Sequence, residues 1–261
     1  MNATLETITP EIAEKLLLKN TRNRQVMQVH VMGLAEEMKA GRWKVNGDTI
    51  CLNGDVLIDG QHRLMAVVES KVTITTWVVR GIASDVFDTK DVGRRRSAAD
   101  TLSVHGEINC RNLAACLIFI DRYFTGRLEN RRHRYSNSEV EELLQKYPDA
   151  RTVAQYAGRG GLLPPSVNRG LFYLFSQADK QQAAKFMEDA MNGVNLNSDD
   201  PVYRLRERLV QNSLSKAKLT VGEISALCIK AWNLRRSGKS CRALKWCSSG
   251  PTKEAFPIIA D

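Results

Sequence analysis

The chain has 261 residues, 43% hydrophobic and 26% charged, which suffices for a buried core and excludes a disordered or fibrous polypeptide; one large domain or two ordinary ones fit this length. A formal net charge of +9 and a sequence pI near 9.3 favour polyanionic partners, nucleic acid foremost, over cationic ones. No N-terminal segment has the charged-then-apolar pattern of a secretory signal, and the best apolar run, Ala114 to Ile120, stops at Asp121, far short of a bilayer span, so a cytoplasmic location without membrane contact is expected.

Thr9-Pro10-Glu11 predicts a helix start: a hydroxyl cap, proline at the first helical position and an acid in the first turn. That helix is expected to end near Lys19-Asn20. Asn23 is placed to cap a second helix whose apolar face runs through Val26, Val29, Leu34 and Met38, with Gly41 as its stop. Trp43 leads through Asn46-Gly47 to an apolar strand, Thr49 to Leu52. Asn53-Gly54 is a hairpin signal, and Val56-Leu57-Ile58 returns as the partner strand. A helix is expected from Arg63 to about Ser70, and the β-branched run Val72 to Val79 reads as a third strand. After Gly106 strand patterns vanish. Helix starts recur at Ser138-Glu139-Val140-Glu141, at Asp200-Pro201 and at Thr220-Val221-Gly222-Glu223, the first and last with the spacing of a capping box. The pattern predicts helices over 108–125, 138–157, 166–177, 179–192, 201–213 and 221–236, with a plain loop from Gly158 to Pro165. The expected fold class is α+β: an N-terminal domain with a small mixed sheet over 1–104, then an all-helical domain over 105–261.

The densest chemistry sits at Asp59-Gly60-Gln61-His62-Arg63, where a short apolar strand turns into a helix. Backbone N–H groups at a helix N-terminus attract anions; Gly60 lets a ligand approach, Arg63 offers a planar fork for phosphate oxygens, and His62 titrates near neutrality. His62 is a candidate acid or base. Asp59 is a candidate magnesium ligand or orienter of Arg63, against plain helix capping. Gln61 is a candidate for orienting a water or reading a base edge. A second group, Asp88, Asp91, Gly93, Arg94, Arg95 and Arg96 with Asp100 beyond, offers phosphate-binding arginines and, in Asp91, a metal ligand, against a solvated basic turn. A third, Arg122, Arg127, Arg131, Arg132, His133 and Arg134, is a candidate nucleic-acid backbone contact, with Glu129 the one acid among them. A fourth, Arg235, Arg236, Lys239, Arg242 and Lys245, lies near Trp232 and Trp246; those rings could stack on unpaired bases, but core packing is the preferred reading. The six cysteines form no CxxC pair, which argues against zinc and for reduced thiols.

Asn23-Arg24, Trp43 through Asp48, and above all Leu57-Ile58-Asp59-Gly60-Gln61-His62-Arg63-Leu64-Met65-Ala66 resemble the ParB-like (ParB/sulfiredoxin) superfamily, and within it the phage and mobile-element proteins called ParB-like nuclease domain proteins. The likeness spans about residues 5–100; the helical remainder, including Ala231-Trp232-Asn233 and Glu254-Ala255-Phe256-Pro257, resembles what commonly follows. It implies that the turn meets nucleotide phosphates. Gln61 departs from two relatives at once: it stands where sulfiredoxins carry a reactive cysteine and where partition proteins carry a glutamate in their CTP-binding turn. Sulfinic-acid repair and CTP switching by those routes are therefore not expected. The nuclease label rests on homology and does not by itself establish cleavage.

The leading expectation is a nucleic-acid-associated protein binding a nucleotide or DNA phosphate at the Asp59–Arg63 turn, with nuclease or NTPase activity assisted by magnesium. Two alternatives stay open: a non-catalytic DNA-binding or partition-type regulator, and an ATP-dependent phosphotransferase acting on a small molecule or modified base. DNA and a nucleoside triphosphate are the expected partners, in the host cytoplasm for a phage-encoded chain, with a homodimer left open.

Overall fold

In the computed structural model of this chain, residues 1–21, 23, 25–82, 97–129, 133–155 and 161–260 are described. The chain divides into two units, Met1–Arg95 and Arg96–Asp261.

The N-terminal unit mixes α and β. Its four strands, β1 (Asn2–Ile8), β2 (Thr49–Asn53), β3 (Val56–Asp59) and β4 (Ile74–Arg80), form one sheet in the order β1-β4-β2-β3. The Asn53-Gly54 hairpin pairs β2 and β3 antiparallel as predicted, with a register shift between Cys51 and Leu52. β4 then returns parallel to β2, Ile50 opposite Val78, while β1 lies antiparallel on its other side, Ile8 opposite Ile74. The parallel pair needs a crossover, and the helix after the turn supplies it. β1 escaped the sequence reading. Its one strongly buried residue is Ile8, whereas Leu5 is half exposed, so its alternation is weak; the paired edge of β4 makes it a strand.

Three helices complete this unit. α1 (Pro10–Leu17) is capped as predicted, Thr9 Oγ1 accepting the Ile12 N–H at 3.3 Å, but ends before Lys19. α2 (Gln28–Lys39) starts from Met27, not from Asn23. Its buried residues are Val31, Ala35 and Met38, whereas Val29 is exposed, so the face that packs is rotated from the one expected. α3 (Gln61–Ser70) starts two residues before Arg63, with Gly60 as N-cap. Ile50, Leu52, Leu57 and Val78 of the sheet and Ala13, Val31, Ala35, Met38, Leu64 and Val67 of the helices share one core. Truncating any of its large side chains to alanine would cost about 2–5 kcal/mol. The opposite face of the sheet carries a smaller cluster of Cys51, Ile58 and Ile82.

The second unit has helices and no strand among its described residues: α4 (Ala98–Val104), α5 (Cys110–Phe124), α6 (Asn137–Lys146), α7 (Ala150–Ala154), α8 (Pro165–Ala178), α9 (Lys180–Asn192), α10 (Pro201–Leu214) and α11 (Val221–Arg236). α4 was not anticipated; Ser97 and Asp100 close a capping box over it, so Asp100 caps from inside the helix rather than ahead of it. The single helix expected over 138–157 is two. Pro148 has no N–H to donate and disfavours helical backbone at Tyr147, which sits at φ −125°, ψ 63°. The capping box there joins Ser136 to Glu139, two residues earlier than Ser138 to Glu141. The Thr220–Glu223 box and the Asp200 cap form as predicted.

Trp232 lies in the core as preferred, stacked on Phe175 at 4.4 Å between centroids and 4° between planes, with Phe186 edge-on to both rings. α5 and α8 approach closely at Gly170, where an added Cβ would lie 2.0 Å from the Phe119 ring. The C-terminal segment folds back along α11: Asn233 donates to the Ile258 carbonyl at 2.7 Å and accepts the Ala260 N–H at 3.0 Å. Among the described residues no helix is long and apolar enough to cross a membrane.

Candidate phosphate-binding site

β3 ends at Asp59, and Gly60 reverses the chain into α3 with φ +102°, a left-handed conformation that side chains resist. Space is tight as well: a Cβ on Gly60 would stand 3.1 Å from Ile50 Cγ1 and 3.2 Å from Ile50 Cα. Gly60 thus serves the approach of its own backbone to β2, whatever a ligand does there. Asp59 Oδ1 accepts the Gly60 N–H at 2.6 Å and does not cap α3, which begins with no side-chain cap hydrogen bond.

The expected catalytic side chains turn inward. Gln61 is 4% exposed and His62 7%. Gln61 Oε1 accepts from Asn20 Nδ2 at 3.1 Å, Asn20 Oδ1 accepts from Asn23 Nδ2 at 2.6 Å, and that same Asn23 amide donates to the Leu57 carbonyl at 2.8 Å. Lys19 accepts the Leu57 N–H at 2.8 Å, which completes a seam between the α1–α2 connection and the β3–α3 turn. His62 Nε2 accepts the Met27 N–H, the N-cap of α2, at 3.1 Å. A ring nitrogen that accepts an N–H carries no proton, so this bond requires the neutral imidazole with its proton on Nδ1. The His30 ring stands 5.2 Å from it, tilted by 49°. Gln61 and His62 therefore hold the entry of α2 against α3. The bonds of Asn20 and Asn23 were missed in sequence; the available signal was the polar Asn20-x-x-Asn23 spacing just beyond a helix end.

Arg63 is the part of the turn that faces outward, with 17% of its side chain exposed. Its Nη1 donates to the Thr49 carbonyl, and its Nε lies 4.0 Å from Asp48 Oδ2, a carboxylate that is 63% exposed. The guanidinium is thereby fixed beside the first turn of α3, and a fork of five donors keeps N–H groups beyond those two contacts. Among the described residues no group of three His, Cys, Asp or Glu is arranged around a metal position. Asp59 would be the one described carboxylate of the expected magnesium site. Asp91, Arg94, Arg95 and Arg96, with Asp88, lie outside the described residues, as do Arg131 and Arg132.

Of the remaining expected nucleic-acid contacts, Arg127 and Arg134 are exposed on the helical unit. Arg122 is committed to structure, with Nη2 on the His133 carbonyl at 3.2 Å and its carbon 5.5 Å from the Tyr135 ring centroid. Arg235 of the fourth group is likewise engaged, bound to the buried Asp189 at 2.5 Å. No family model, curated protein or solved structure matches the chain.

Proposed function

We infer that this is a nucleic-acid-associated protein of ParB-like type that holds a phosphate of DNA or of a nucleotide at the start of α3, and that it works as a clamp and not as a hydrolase. The observation that carries the phosphate is an α3 opening without a side-chain cap, with Arg63 fixed in its first turn. The N-terminal end of a helix, with its positive dipole, and a guanidinium are complementary to phosphate oxygens. The net charge of +9 and the resemblance of the Asp-Gly-Gln-His-Arg string support the same class of partner. The clamp reading follows from His62 and Gln61. A general base must accept a proton from water or substrate, and His62 Nε2 already accepts the Met27 N–H in a buried position.

A melting series with ATP, CTP, GTP, UTP and a short DNA duplex, each with and without magnesium, tests this. A ligand at about a hundredfold its Kd adds about 2.7 kcal/mol to the folded state. Arg63→Gln, which keeps a donor for the Thr49 carbonyl but removes the charge, should abolish that gain. No stabilisation by any of them at millimolar concentration would remove the phosphate site. Cleavage of plasmid DNA or turnover of a nucleotide by the full chain, lost in His62→Gln, would replace the clamp with a hydrolase.

A further inference from the structure

α5 ends in an aromatic side chain that the core does not use. Phe124 is 58% exposed, yet its ring is held on two sides. It stacks on the buried Tyr147 at 5.8 Å between centroids and 14° between planes, and Tyr123 meets it edge-on at 5.3 Å. One exposed phenylalanine is ordinary on a protein surface. An exposed ring that is oriented, with one face covered and the other open, is a stacking platform, and this one lies among cations.

Lys146 is exposed with its Nζ 5.1 Å from the Tyr147 ring centroid. Arg127 follows Phe124 in the turn that closes α5, its N–H on the Arg122 carbonyl at 2.7 Å, and Arg134 is exposed just before α6. Among the described residues neither Arg127 nor Arg134 belongs to an ion pair. Two of the acids nearby are engaged elsewhere: Asp121 is 9% exposed and accepts the Tyr135 hydroxyl at 2.6 Å, and Glu139 pairs with His133 at 3.2 Å and takes the Ser136 N–H at 2.7 Å. Glu129 and Asp149 are exposed beside them. The result is an aromatic face with three exposed cations, Arg127, Arg134 and Lys146, at the same end of the helical unit.

We propose that this face binds an unpaired nucleic-acid strand, one base stacking on Phe124 while the flanking phosphates meet Arg127, Arg134 and Lys146. In a duplex both faces of each internal base are already covered by neighbours, so a ring on a protein surface selects strands whose bases are free. The cations supply the backbone affinity, which is independent of sequence and sensitive to salt. This deepens the nucleic-acid reading by naming the state of the strand, but it stands on the helical unit and not on the α3 turn.

The test is fluorescence anisotropy of the full chain with a labelled single-stranded DNA oligonucleotide, the same sequence as RNA, and the DNA duplex. The variants are Phe124→Ala, Phe124→Leu, Phe124→Trp, the double variant Arg127→Gln/Arg134→Gln, and Arg63→Gln. The expected result is tighter binding of at least one single strand than of the duplex. Phe124→Ala and Phe124→Leu should weaken that binding about tenfold to a hundredfold, Phe124→Trp should retain it, and the double arginine variant should lower the slope of log affinity against log salt by about 1.4. Comparison of the DNA and RNA strands names the source of the bases. Phe124→Leu preserves the apolar contact with Tyr147, so a loss there reports stacking rather than misfolding. Single-strand affinity unchanged in both Phe124→Ala and Phe124→Leu would overturn the proposal, as would a duplex bound more tightly than either strand. If Arg63→Gln binds like the unaltered chain while Phe124→Leu does not, this proposal stands and the α3 turn takes no part in strand binding, its nucleotide reading resting on the melting series; the opposite pattern overturns this one alone.

Discussion

At the Asp59–Arg63 turn, the side chains with the richest chemistry are the most buried: Gln61 and His62 are 4% and 7% exposed, and each is joined to the segment between α1 and α2. At the end of α5 the order is reversed. Phe124 is 58% exposed, Arg127 and Arg134 point to solvent, and the polar groups that the fold needs, Asp121 and Arg122, lie behind them. A dense string of functional residue types can thus be spent on architecture, because a buried polar atom must find a partner and the backbone supplies one. Exposed rings and cations without local partners owe the fold little, and they are the groups left to meet another molecule.

Four measurements bear on that contrast. The largest effect is expected at alkaline pH, where the helical core should give way. Burial pushes the Cys116 and Cys228 thiols from 9.0 up to about 12 in the folded chain. A raised folded pKa leaves stability intact below pH 9 and removes it as the pH climbs towards 12, since the unfolded thiols ionise first. At about 1.4 kcal/mol per thiol per pH unit, roughly 4 kcal/mol is lost near pH 10.5. Urea unfolding read by amide exchange in α5 and α11 checks this; Cys116→Ala/Cys228→Ala should flatten the slope with pH.

Gly60→Ala comes next, at about 3 kcal/mol in the N-terminal unit, from the strained φ together with the contact on Ile50. Its exchange signature belongs in α3 and β2, and a neutral outcome would mean that the turn has room for a ligand which the fold does not require. His62→Ala should cost about 2 kcal/mol by removing the buried imidazole and with it the acceptor of the Met27 N–H. His62→Gln should recover part of that loss, and faster amide exchange at Met27 in the alanine variant is the specific readout. The smallest effect is Phe124→Ala, within about 0.5 kcal/mol of the unaltered chain by denaturant midpoint. A larger loss there would make the α5 end an architectural region like the turn and erase the contrast.

Much of the scaffold was legible in sequence for local reasons. Asn53-Gly54 specified a hairpin because a left-handed Gly54 suits its twist, Thr9-Pro10 and Thr220-x-x-Glu223 specified helix starts by satisfying N–H groups within a few residues, and Pro148 was the visible break that the long 138–157 helix overlooked. The Asp59–Arg63 turn was equally legible as a strand-to-helix junction. The burial and bonding of Gln61 and His62 were not legible, because their partners lie 41 and 35 residues earlier in the chain.

The sequence by itself determined the mixed N-terminal half, the helical remainder, the caps and the charge, all of which depend on neighbours along the chain. The tertiary structure alone decided that β1 would be a strand, that Asn23 would tie β3 instead of capping α2, and that His62 would accept a backbone N–H. It also decided that Phe124, one aromatic among several in α5 and α8, would remain outside the core. Burial and hydrogen-bond partners are set by distant segments meeting in space, and residue type records only what a side chain is able to do when they meet.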